Sequence, residues 1–498
     1  LNLSKTFKEK FSLDAHIGAS IKDNRFDELS VYGPIAGAPN IFNVVNLDKS
    51  QKKTPKTGWH EQTQSFFYSL ELGWKSQLFV TTTGRKDWAS QLANSPQKSF
   101  FYPSVGVSWL PSSTFNFPEK FNYLKIRASW ASVANPFPRE LTIATHPYDD
   151  TISGWDDKSN YPIGQLYPER TKTWELGFDA RFLHGFTLSA SWYRADTYNQ
   201  TFNPNLSASS GYSDIYIQTG HVRNTGVEAS LGYDHQWKNW NWNSQFTFSW
   251  NKNKIIELCK EWYNPITEET ITMNRLQISK LGRAKFILKE GGSMGDLYST
   301  TDLRRDDKGN IEIDEGGNVV VEDNLPDMKL GSVFPDYNLA WRNSVSWKNL
   351  NLGFLVTARI GGIVNSLTQA NMDLFGVSEA TAAARDAGGA LVNGRSLVNP
   401  ETWYTAIASQ GGIPQYYTYS ATNVRLQELS LGYTIPRKWL HNVCSITVSF
   451  VGRNLWMMYC KAPFDPEAVA STNNFYQGMD YFMMPSTRNL GFNINIKF

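Results

Sequence analysis

Charge, long apolar runs and cysteine are all scarce in this sequence, and each shortage excludes a class of protein. Charged residues make up 19% of the 498 residues, below the roughly 25% of typical soluble domains. Lys and Arg number 48 against 46 Asp and Glu, so the overall charge gives no reason to expect a nucleic-acid partner. No apolar run approaches the ~18 residues of a membrane helix, which excludes a helical membrane protein.

The three cysteines, Cys259, Cys444 and Cys460, are too few for a disulfide framework. Cys444 and Cys460 fall near opposite ends of one predicted strand, roughly 50 Å apart at ~3.3 Å per residue, so they cannot pair. Cys259 could meet Cys460 in a loop, and three unpaired thiols are the alternative. The opening residues, LNLSKTFKEKF, contain no secretory signal, so we expect either a mature chain or a piece of a longer one.

Motifs of enzymes and metal sites are also missing. The seven histidines form no H-E-x-x-H pattern, and the chain contains neither a G-x-S-x-G elbow nor a phosphate-binding P-loop. We therefore expect no catalytic residue, no metal and no cofactor. The segments DDKGN (Asp306–Asn310) and DEGGN (Asp314–Asn318) resemble calcium-binding turns. The distant Glu that an EF-hand loop requires is out of register, so hairpin turns are the preferred interpretation.

Aromatic residues, by contrast, are plentiful, and apolar residues alternate with polar ones along most of the chain. The sequence contains 18 Trp, 23 Tyr and 29 Phe, yet its mean hydropathy is only −0.41. In TKTWELGFDARF, Trp174, Leu176 and Phe178 share one face, with Glu175 and Asp179 on the other. This period of two predicts a strand. Because polar residues occupy the second face, the pattern favours a barrel with lipid outside and a polar lumen.

About 14 such strands are predicted, and short and long connections alternate between them. The short ones lie at Lys75, Pro111–Phe121, His184, Trp237–Asn239, Asn349 and Ile435–Val443. The long ones are Asp23–Glu61, Ala89–Lys98, Ala134–Glu169, Asn199–Thr219, Ile256–Pro335, Val364–Tyr417 and Met457–Pro485. This asymmetry is typical of a barrel in the outer membrane of a Gram-negative bacterium. The predicted fold is therefore all-β, a transmembrane antiparallel β-barrel with its short turns in the periplasm.

The chain ends with the alternating segment RNLGFNINIKF. Phe492, Ile494, Ile496 and Phe498 fall on one face, with Asn and Lys between them. We expect this face to contact outer-membrane lipid, and the strand to pair so that the wall closes. Because the segment follows a long loop, Phe498 is expected at the periplasmic end.

The C-terminal segment also carries a resemblance to a known family. GRNLWMMYCKAPFDPEAVASTNNFYQGMDYFMMPSTRNLGFNINIKF resembles the end of the SusC/RagA-type TonB-dependent outer-membrane transporters. That family's pattern is GRNL, then FDPE, G-x-D-Y and P-x-x-R, before a final strand that ends in Phe. Further blocks resemble the family's barrel in its order, over essentially the whole chain. They include RKDWASQL, FFYPSVGVSWL, LYPERTKTWELGFDARF, RNTGVEASLGY, GGSMGDLYS, FPDYNLAWRNSVSWKNLNLGFLV and VRLQELSLGYTIP.

This resemblance implies a non-enzymatic importer of oligosaccharides or oligopeptides, powered through TonB, with a SusD-like surface lipoprotein as a hinged lid. It also implies a barrel of about 22 strands around an N-terminal plug, and two transporter–lid pairs associating as a dimer. Residues 1–498 would be the C-terminal part of that barrel. The plug, the first strands and the contact to TonB would lie outside this sequence. The final strand, with Phe492, Ile494, Ile496 and Phe498, would be the assembly signal.

Charged residues on the polar face form one candidate site. Glu175, Asp179, Arg181, Glu228 and Arg359 could line a substrate track through the lumen. Ion pairs across the wall, or contacts to the plug, are the structural alternative.

Aromatic residues beside a long loop form the second candidate site. Trp403, Tyr404, Tyr416, Tyr417 and Tyr419 could stack on sugar rings or grip a partner. An interfacial girdle or a loop core is the alternative. The loops Ile256–Pro335, Val364–Tyr417 and Met457–Pro485 are longer than sealing a lumen requires, so they are the predicted seat of the lid.

Two other classes of protein share parts of this pattern. An outer-membrane barrel enzyme would cluster catalytic residues near the rim, and the sequence has no such cluster. A soluble β-propeller that binds glycans would repeat itself every 40–50 residues or so, roughly one blade at a time, and no such repeat is found.

Overall fold

The computed structural model describes residues 1–139, 141, 148–149, 154–155, 160–161, 166–202, 214–264, 268–471 and 476–498. Within them, the main feature is one antiparallel sheet of fifteen strands. Each strand pairs with the next strand of the sheet in chain order, and the first and last strands lie at its two edges, so the sheet is a simple meander. We call this sheet the wall.

The wall strands are numbered in chain order. They are β1 (Asn2–Phe7), β2 (Phe11–Leu29), β3 (Lys56–Trp74), β4 (Leu78–Ala89), β5 (Phe100–Trp109), β6 (Phe121–Asn135), β7 (Glu169–Phe182), β8 (Phe186–Phe202), β9 (Ile217–Trp237), β10 (Trp240–Glu257), β11 (Tyr337–Trp347), β12 (Leu350–Ile360), β13 (Asn423–Thr434), β14 (Ser445–Cys460) and β15 (Asn489–Lys497).

The register of the wall gathers apolar side chains on one face, as the alternation predicts. Leu352 of β12 lies opposite Leu431, which lies opposite Phe450, which in turn lies opposite Phe492 of β15. The Phe450 and Phe492 rings are 5.8 Å apart between centroids. Leu431 is 54% exposed and Phe492 80% exposed. Exposed apolar rows of this kind are what a lipid-facing surface requires.

One strand of the wall, β1, is missing from the sequence-based count of about 14. It forms a hairpin with β2 across residues 8–10. The turn is made by Lys8 and Glu9 with φ values of 47° and 56°. Because these residue types give no turn signal, unlike Gly or Asn, the hairpin escapes pattern reading. With it included, seven short connections alternate with seven long ones.

Three long connections, residues 258–336, 361–422 and 461–488, fold together into what we call the loop body. A four-stranded sheet is made of Arg275–Leu281, Ala284–Lys289, Asp296–Ser299 and Met328–Ser332. A three-stranded sheet joins Thr418–Ser420, Ile363–Ser366 and Met479–Asp480, so it ties two connections to each other. One buried cluster takes side chains from all three: Phe286, Leu297, Val333, Leu367 and Met479.

Short elements complete the structure. The remaining strands are Cys259–Asn264, Glu269–Met273, Asp302–Leu303, Val321–Glu322, Ala390–Val392, Ser396–Val398, Tyr148–Asp149, Gly154–Trp155, Asn160–Tyr161 and Asp214–Ile215. The helices are α1 (Pro111–Thr114), α2 (Leu367–Leu374), α3 (Glu379–Asp386), α4 (Pro400–Ala408) and α5 (Pro414–Tyr417). Single 3-10 turns occur at Val44–Asn46, Ser90–Leu92, Ser409–Gly411 and Arg437–Leu440.

The helices of the loop body begin at side chains suited to capping. Ser366, Ser378 and Asn399 accept hydrogen bonds from the first backbone N–H groups of α2, α3 and α4. None of the helices in the described ranges is long and apolar enough to cross a membrane.

The structure decides between two sets of alternatives that the sequence left open. The three cysteines, all of them described, are free thiols. The main sheet is one meander of fifteen strands, which contradicts the propeller alternative, because a propeller is built from separate four-stranded blades.

Candidate functional site

The loop body lies against the polar face of the wall, at the end where the long connections leave it. The Asn253 side-chain oxygen on β10 accepts hydrogen bonds from the Met294 amide at 2.9 Å and the Ser293 hydroxyl at 3.2 Å. Arg359, at the end of β12, donates from Nη2 to the Val333 carbonyl at 2.9 Å. The polar face is therefore the one that the loops cover, as expected of a lumen and its mouth.

A buried ion pair fixes the connection 461–488 to β13. Arg425 is only 4% exposed and donates from Nη2 and Nη1 to the two Asp465 carboxylate oxygens at 2.8 and 3.1 Å. Its Nε donates to Asn423. Burial raises the pKa of the Asp465 carboxyl, but the hydrogen bonds from Arg425 and Ser486 outweigh this effect and leave the pKa below its ordinary value. Such bidentate pairs are strong and directional.

Two motifs of the C-terminal segment become structural contacts. Asp465 belongs to FDPE, and Asp480 of G-M-D-Y accepts a hydrogen bond from the Ser366 hydroxyl at 2.6 Å. Gly478 has a φ of 75°, and a Cβ added there would lie 2.6 Å from Val333. Only glycine fits this position without displacement. The sequence could not predict the Arg425–Asp465 pair, because its partners are 40 residues apart on different elements.

A cavity of about 670 Å³ opens on the polar face beneath the loop body. Its charged lining residues are Arg127, Glu228, Arg359 and Glu467. Serines, threonines and Asn338 from β8 to β12 fill the spaces between them. The Nε of Arg359 is buried and makes no hydrogen bond to the described residues. The cavity thus presents both signs of charge and many hydroxyl groups, which suits a polar ligand or a polar protein surface.

The predicted lumenal track is only partly brought together. Glu228 and Arg359 both line this cavity. Arg127, which also lines it, donates to Asp179 at 2.6 Å and lies 3.8 Å from Glu175. These two acids are therefore in ion pairs across the wall, the structural alternative for them.

Arg181 lies apart from this group. Its guanidinium sits over the Tyr123 ring at 5.1 Å, near the short-connection end of β7. It is not among the residues that line the cavity.

The predicted aromatic group is gathered in the core of the loop body. The Trp403 and Tyr416 rings meet edge to face with centroids 5.9 Å apart, and Tyr404 packs against the same cluster. Tyr417 is 2% exposed, and its hydroxyl donates to Asp373 at 3.0 Å. Burial, with the nearby Asp373 carboxylate, raises the pKa of Tyr417 far above its ordinary value.

This burial corrects the expectation for Tyr417. Its ring is covered by protein on all sides, so it cannot stack on a ligand in this conformation, and it is a loop-core residue. Tyr419 lies nearby with its ring against Phe464, and burial raises its pKa to about 12. A substrate contact remains a prediction for the half-buried Trp403, Tyr404 and Tyr416.

The two candidate calcium segments are hairpin turns, as preferred from the sequence. Asp306 accepts backbone hydrogen bonds from Lys308 and Asn310, and Asp314 accepts one from Asn318. Flanking bridges pair Arg305 with Ile311 and Ile313 with Val319. Both carboxylates are therefore used within their own turns.

The predicted assembly segment forms β15 at the end of the sheet. Ile494 and Ile496 lie opposite Val448 and Ile446 of β14. Phe492, Ile494, Ile496 and Phe498 are all exposed on the apolar face, so they extend its rows by one more strand.

Comparison with known proteins identifies relatives over the whole chain. The family model described as "TonB dependent receptor-like, beta-barrel" matches residues 1–455. TonB-dependent receptor P3 of Formosa agariphila is 26% identical over 100% of this chain and 52% of its own length. TonB-dependent receptor SusC of Bacteroides thetaiotaomicron is 21% identical over 75% of this chain and 38% of its own length. The chain thus spans about half, or less, of the length of these relatives.

Solved structures share the fold. One chain of the RagAB peptide importer in its open–open state superimposes with a TM-score of 0.78 at 18% identity. The superposition covers 100% of this chain and 54% of that one. At this identity, the likeness establishes the architecture alone.

Proposed function

Because the chain belongs to the family of TonB-dependent receptor β-barrels, we propose that it forms wall and outer loops of a nutrient importer in the outer membrane of a Gram-negative bacterium. The importer takes up oligosaccharides or oligopeptides and is energised through TonB. A SusD-like surface lipoprotein is its lid.

The observation that carries this proposal is the loop body. Three long connections fold into a single structure with its own core, and that structure covers the mouth of a polar cavity. A barrel that served only as a membrane anchor would not need it. A folded platform above a polar lumen is suited to receive a ligand from a partner and pass it inward.

The relatives support the substrate classes without choosing between them. One relative is named SusC, and the structural neighbour is described as a peptide importer. In this chain, the cavity offers hydroxyl and amide groups for sugars as well as charges for peptide termini. We therefore keep both classes in the proposal.

The remaining parts of the importer are proposed from the share of the relatives that this chain spans. Residues 1–498 correspond to a C-terminal part of the barrel, and a plug, further strands and the TonB contact belong to the rest of the protein. The charged residues Arg127, Glu228 and Arg359 then face the plug, the substrate or both.

An exposed apolar pair of side chains supports the proposal of a lipoprotein partner. Phe375 and Val377 lie between α2 and α3 and are 75% and 69% exposed. They belong to the loop body, above the wall, where lipid cannot cover them. We therefore choose this pair as the candidate contact with the lipoprotein.

The experiment is a co-purification with the full-length importer, tagged and expressed in its own bacterium. The test variant is Phe375→Ser with Val377→Ser. The matched control is Trp439→Ser with Val443→Ser, since these two side chains are equally exposed but lie in a short connection at the opposite end. We expect a lipoprotein to accompany the wild type and the control, and to be lost from the test variant together with uptake of labelled oligosaccharide or oligopeptide.

Two results would contradict the proposal. If no lipoprotein accompanies the wild-type protein, the proposal of a lipoprotein lid is wrong. If uptake of both substrate classes continues in cells that lack TonB, the importer is not energised as proposed.

A further inference from the structure

Basic residues are gathered on the lipid-facing side of β7–β10, close to the long connections. We call this the outward basic cluster: Arg170, Lys172, Arg194, Arg223, Lys252 and Lys254. Register places them on one face. Lys172 lies opposite Asp196, Asp196 opposite Arg223, and Arg223 opposite Lys254. These positions lie on the apolar face, since four residues further along the same strands lie Leu176, Trp192, Val227 and Trp250.

The character of this surface changes in steps along the strands. The row nearest the middle of the strands is apolar: Leu176, Trp192, Val227 and Trp250. The next row mixes Trp174 with Arg194, Thr225 and Lys252. The last row is charged. An apolar row that includes tryptophans, then a row that mixes Trp174 with cations, then a charged row matches the change from lipid tails to lipid headgroups.

Asp196 organises the arginines but does not neutralise the cluster. Its two oxygens accept hydrogen bonds from Arg194 Nε at 2.8 Å and Arg223 Nε at 2.7 Å, with His221 Nε2 also 2.8 Å away. The Nη nitrogens of both arginines make no hydrogen bond to the described residues. One carboxylate therefore fixes two guanidinium groups, and four further cations of the cluster form no ion pair with it. Fixed, outward-facing guanidinium groups are well suited to phosphate.

A groove connects the apolar and basic rows. It has a volume of about 570 Å³ and is lined by Trp130, Lys172, Trp174, Leu176, Trp192, Arg194, Asp196 and Tyr198. Lys172 lies over the Tyr198 ring at 5.2 Å. One end of the groove therefore offers apolar rings, and the other end offers a lysine and an arginine.

The basic residues are concentrated on β7–β10 rather than spread evenly around the wall. Their charge, six cations with two acids, Asp196 and, opposite His221, Glu257, contrasts with β11–β15. The outward register positions of those strands carry only uncharged residues such as Tyr337, Leu352, Leu431, Trp456 and Leu490. An ordinary ring of headgroup contacts would extend around the whole wall. Outward positions of β2–β4 near the long connections also carry cations, Arg25, Lys56 and Lys86, but Asp23 and Asp27 lie among them. The excess of positive charge on the outward face is therefore greatest on β7–β10.

We propose that the groove is a binding site for a phosphorylated, acylated lipid of the outer leaflet. The phosphate lies at Lys172, Arg194 and Arg223, and an acyl chain lies along Leu176 and Trp192. The long connections lie on the outer side of the membrane, so the cluster faces the outer leaflet. This inference depends on the membrane orientation of the wall and not on which nutrient is imported.

The test measures the binding of fluorescent lipid A carrying two phosphates to the delipidated full-length protein in detergent. The test variant is Lys172→Gln with Lys254→Gln, because neither lysine is among the side chains that form ion pairs with Asp196, which are Arg194, His221 and Arg223. The control is Lys56→Gln with Lys86→Gln, which removes the same charge from outward positions on β3 and β4. We expect the affinity of the test variant to fall roughly tenfold or more, since each headgroup-facing cation contributes about a factor of five. The control should bind as the wild type does.

The same measurement with dephosphorylated lipid A and with inorganic phosphate completes the test. Both should bind much more weakly than the intact lipid, because the dephosphorylated lipid lacks the phosphate and inorganic phosphate lacks the acyl chains. Equal affinity of the two double variants would overturn the proposal. So would equal binding of the dephosphorylated lipid, or equal binding of inorganic phosphate, which would make the cluster a simple anion site.

Discussion

On β13 of the wall, Leu431 is 54% exposed, whereas Leu288, on the strand Ala284–Lys289 of the loop body, is completely buried. The same residue type therefore has opposite environments within one chain. The wall places its apolar side chains outside, where lipid covers them. The loop body places them inside, as a water-soluble domain does. The difference teaches that this protein is built for two solvents, and that its membrane part ends where the loop body begins.

The largest effect is expected at the contact between the wall and the loop body, which the buried Arg425–Asp465 pair makes. Arg425→Met should cost roughly 3–5 kcal/mol, because it leaves the Asp465 carboxylate buried without a partner. Hydrogen exchange of the connection 461–488 should speed up while the exchange of β13 to β15 below it stays slow. The double variant Arg425→Met with Asp465→Leu should recover most of the loss. If the double variant exchanges as fast as the single one, the ion pair is not what holds the connection.

Packing should matter more in the loop body than in the wall. Leu288→Ala should destabilise the loop body by about 2–5 kcal/mol, since it leaves a cavity among buried side chains. Leu431→Ala should cost clearly less, because lipid tails can fill the space. Unfolding of both variants in lipid vesicles, followed by proteolysis of each region, measures the two costs. Equal costs would mean that Leu431 is packed against protein.

Charge placed on the outer surface should separate the two faces of the wall. Leu431→Arg should cost roughly 2–4 kcal/mol if it lies near the middle of the membrane. Ser430→Arg, one residue earlier and facing the polar side, should cost much less. Denaturant titrations of both variants in vesicles give the comparison, and similar costs on the two faces would refute the assignment of lipid and lumen.

The smallest effect expected is a pH dependence confined to the loop body. Arg275 donates two hydrogen bonds to Asp327, at 2.6 and 2.8 Å. These bonds, with Lys289, hold the Asp327 pKa well below its ordinary value, although burial opposes them. The stabilisation is present above the unfolded-state pKa of about 3.9 and is lost as pH falls further. Asp327→Asn should therefore cost about 1 kcal/mol at neutral pH, in the range of partly exposed ion pairs.

Hydrogen exchange of the strand Met328–Ser332 in Asp327→Asn and in the wild type, corrected for the intrinsic rate at each pH, measures this difference. It should shrink as pH falls from 5 to about 2, because the Asp327 carboxylate of the unfolded state takes up a proton in this range while the folded-state carboxylate stays ionised, which removes the stabilisation that the ion pair provides. A difference that is constant over this range would indicate a packing effect of the substitution rather than the lost charge.

Much of the wall is predictable from the sequence, because alternation is a local property. The strands from β2 onward, the alternation of short and long connections, and the apolar row of β15 all follow from residues close together in the chain. The resemblance to SusC/RagA-type transporters is confirmed by the family model and the relatives. The hairpin of β1 and β2 is not predicted, because its turn residues Lys8 and Glu9 are not typical of turns.

The loop body and the outward basic cluster are not predictable in this way. The aromatic group around Tyr416 was identified, but whether its members face a ligand or a core depends on how three connections fold together. Arg194 and Lys254 are 60 positions apart by residue number, and only the register of three strands brings their rows together. A near-neutral overall charge therefore conceals a strongly basic place on the surface.

The central claim, that the wall and the loop body face different solvents, is tested most directly by spin labels. Labels are placed one at a time on residues 428–433 of β13 and on Ala284–Lys289, in a cysteine-free protein reconstituted into vesicles. Along β13, access to oxygen, which dissolves in lipid, should peak at Leu429, Leu431 and Tyr433. Access to a water-soluble nickel complex should peak between them, and both reagents should be largely excluded from Phe286, Ile287 and Leu288. A β13 without this period of two, or with oxygen peaking at Ser430 and Gly432, would contradict the account.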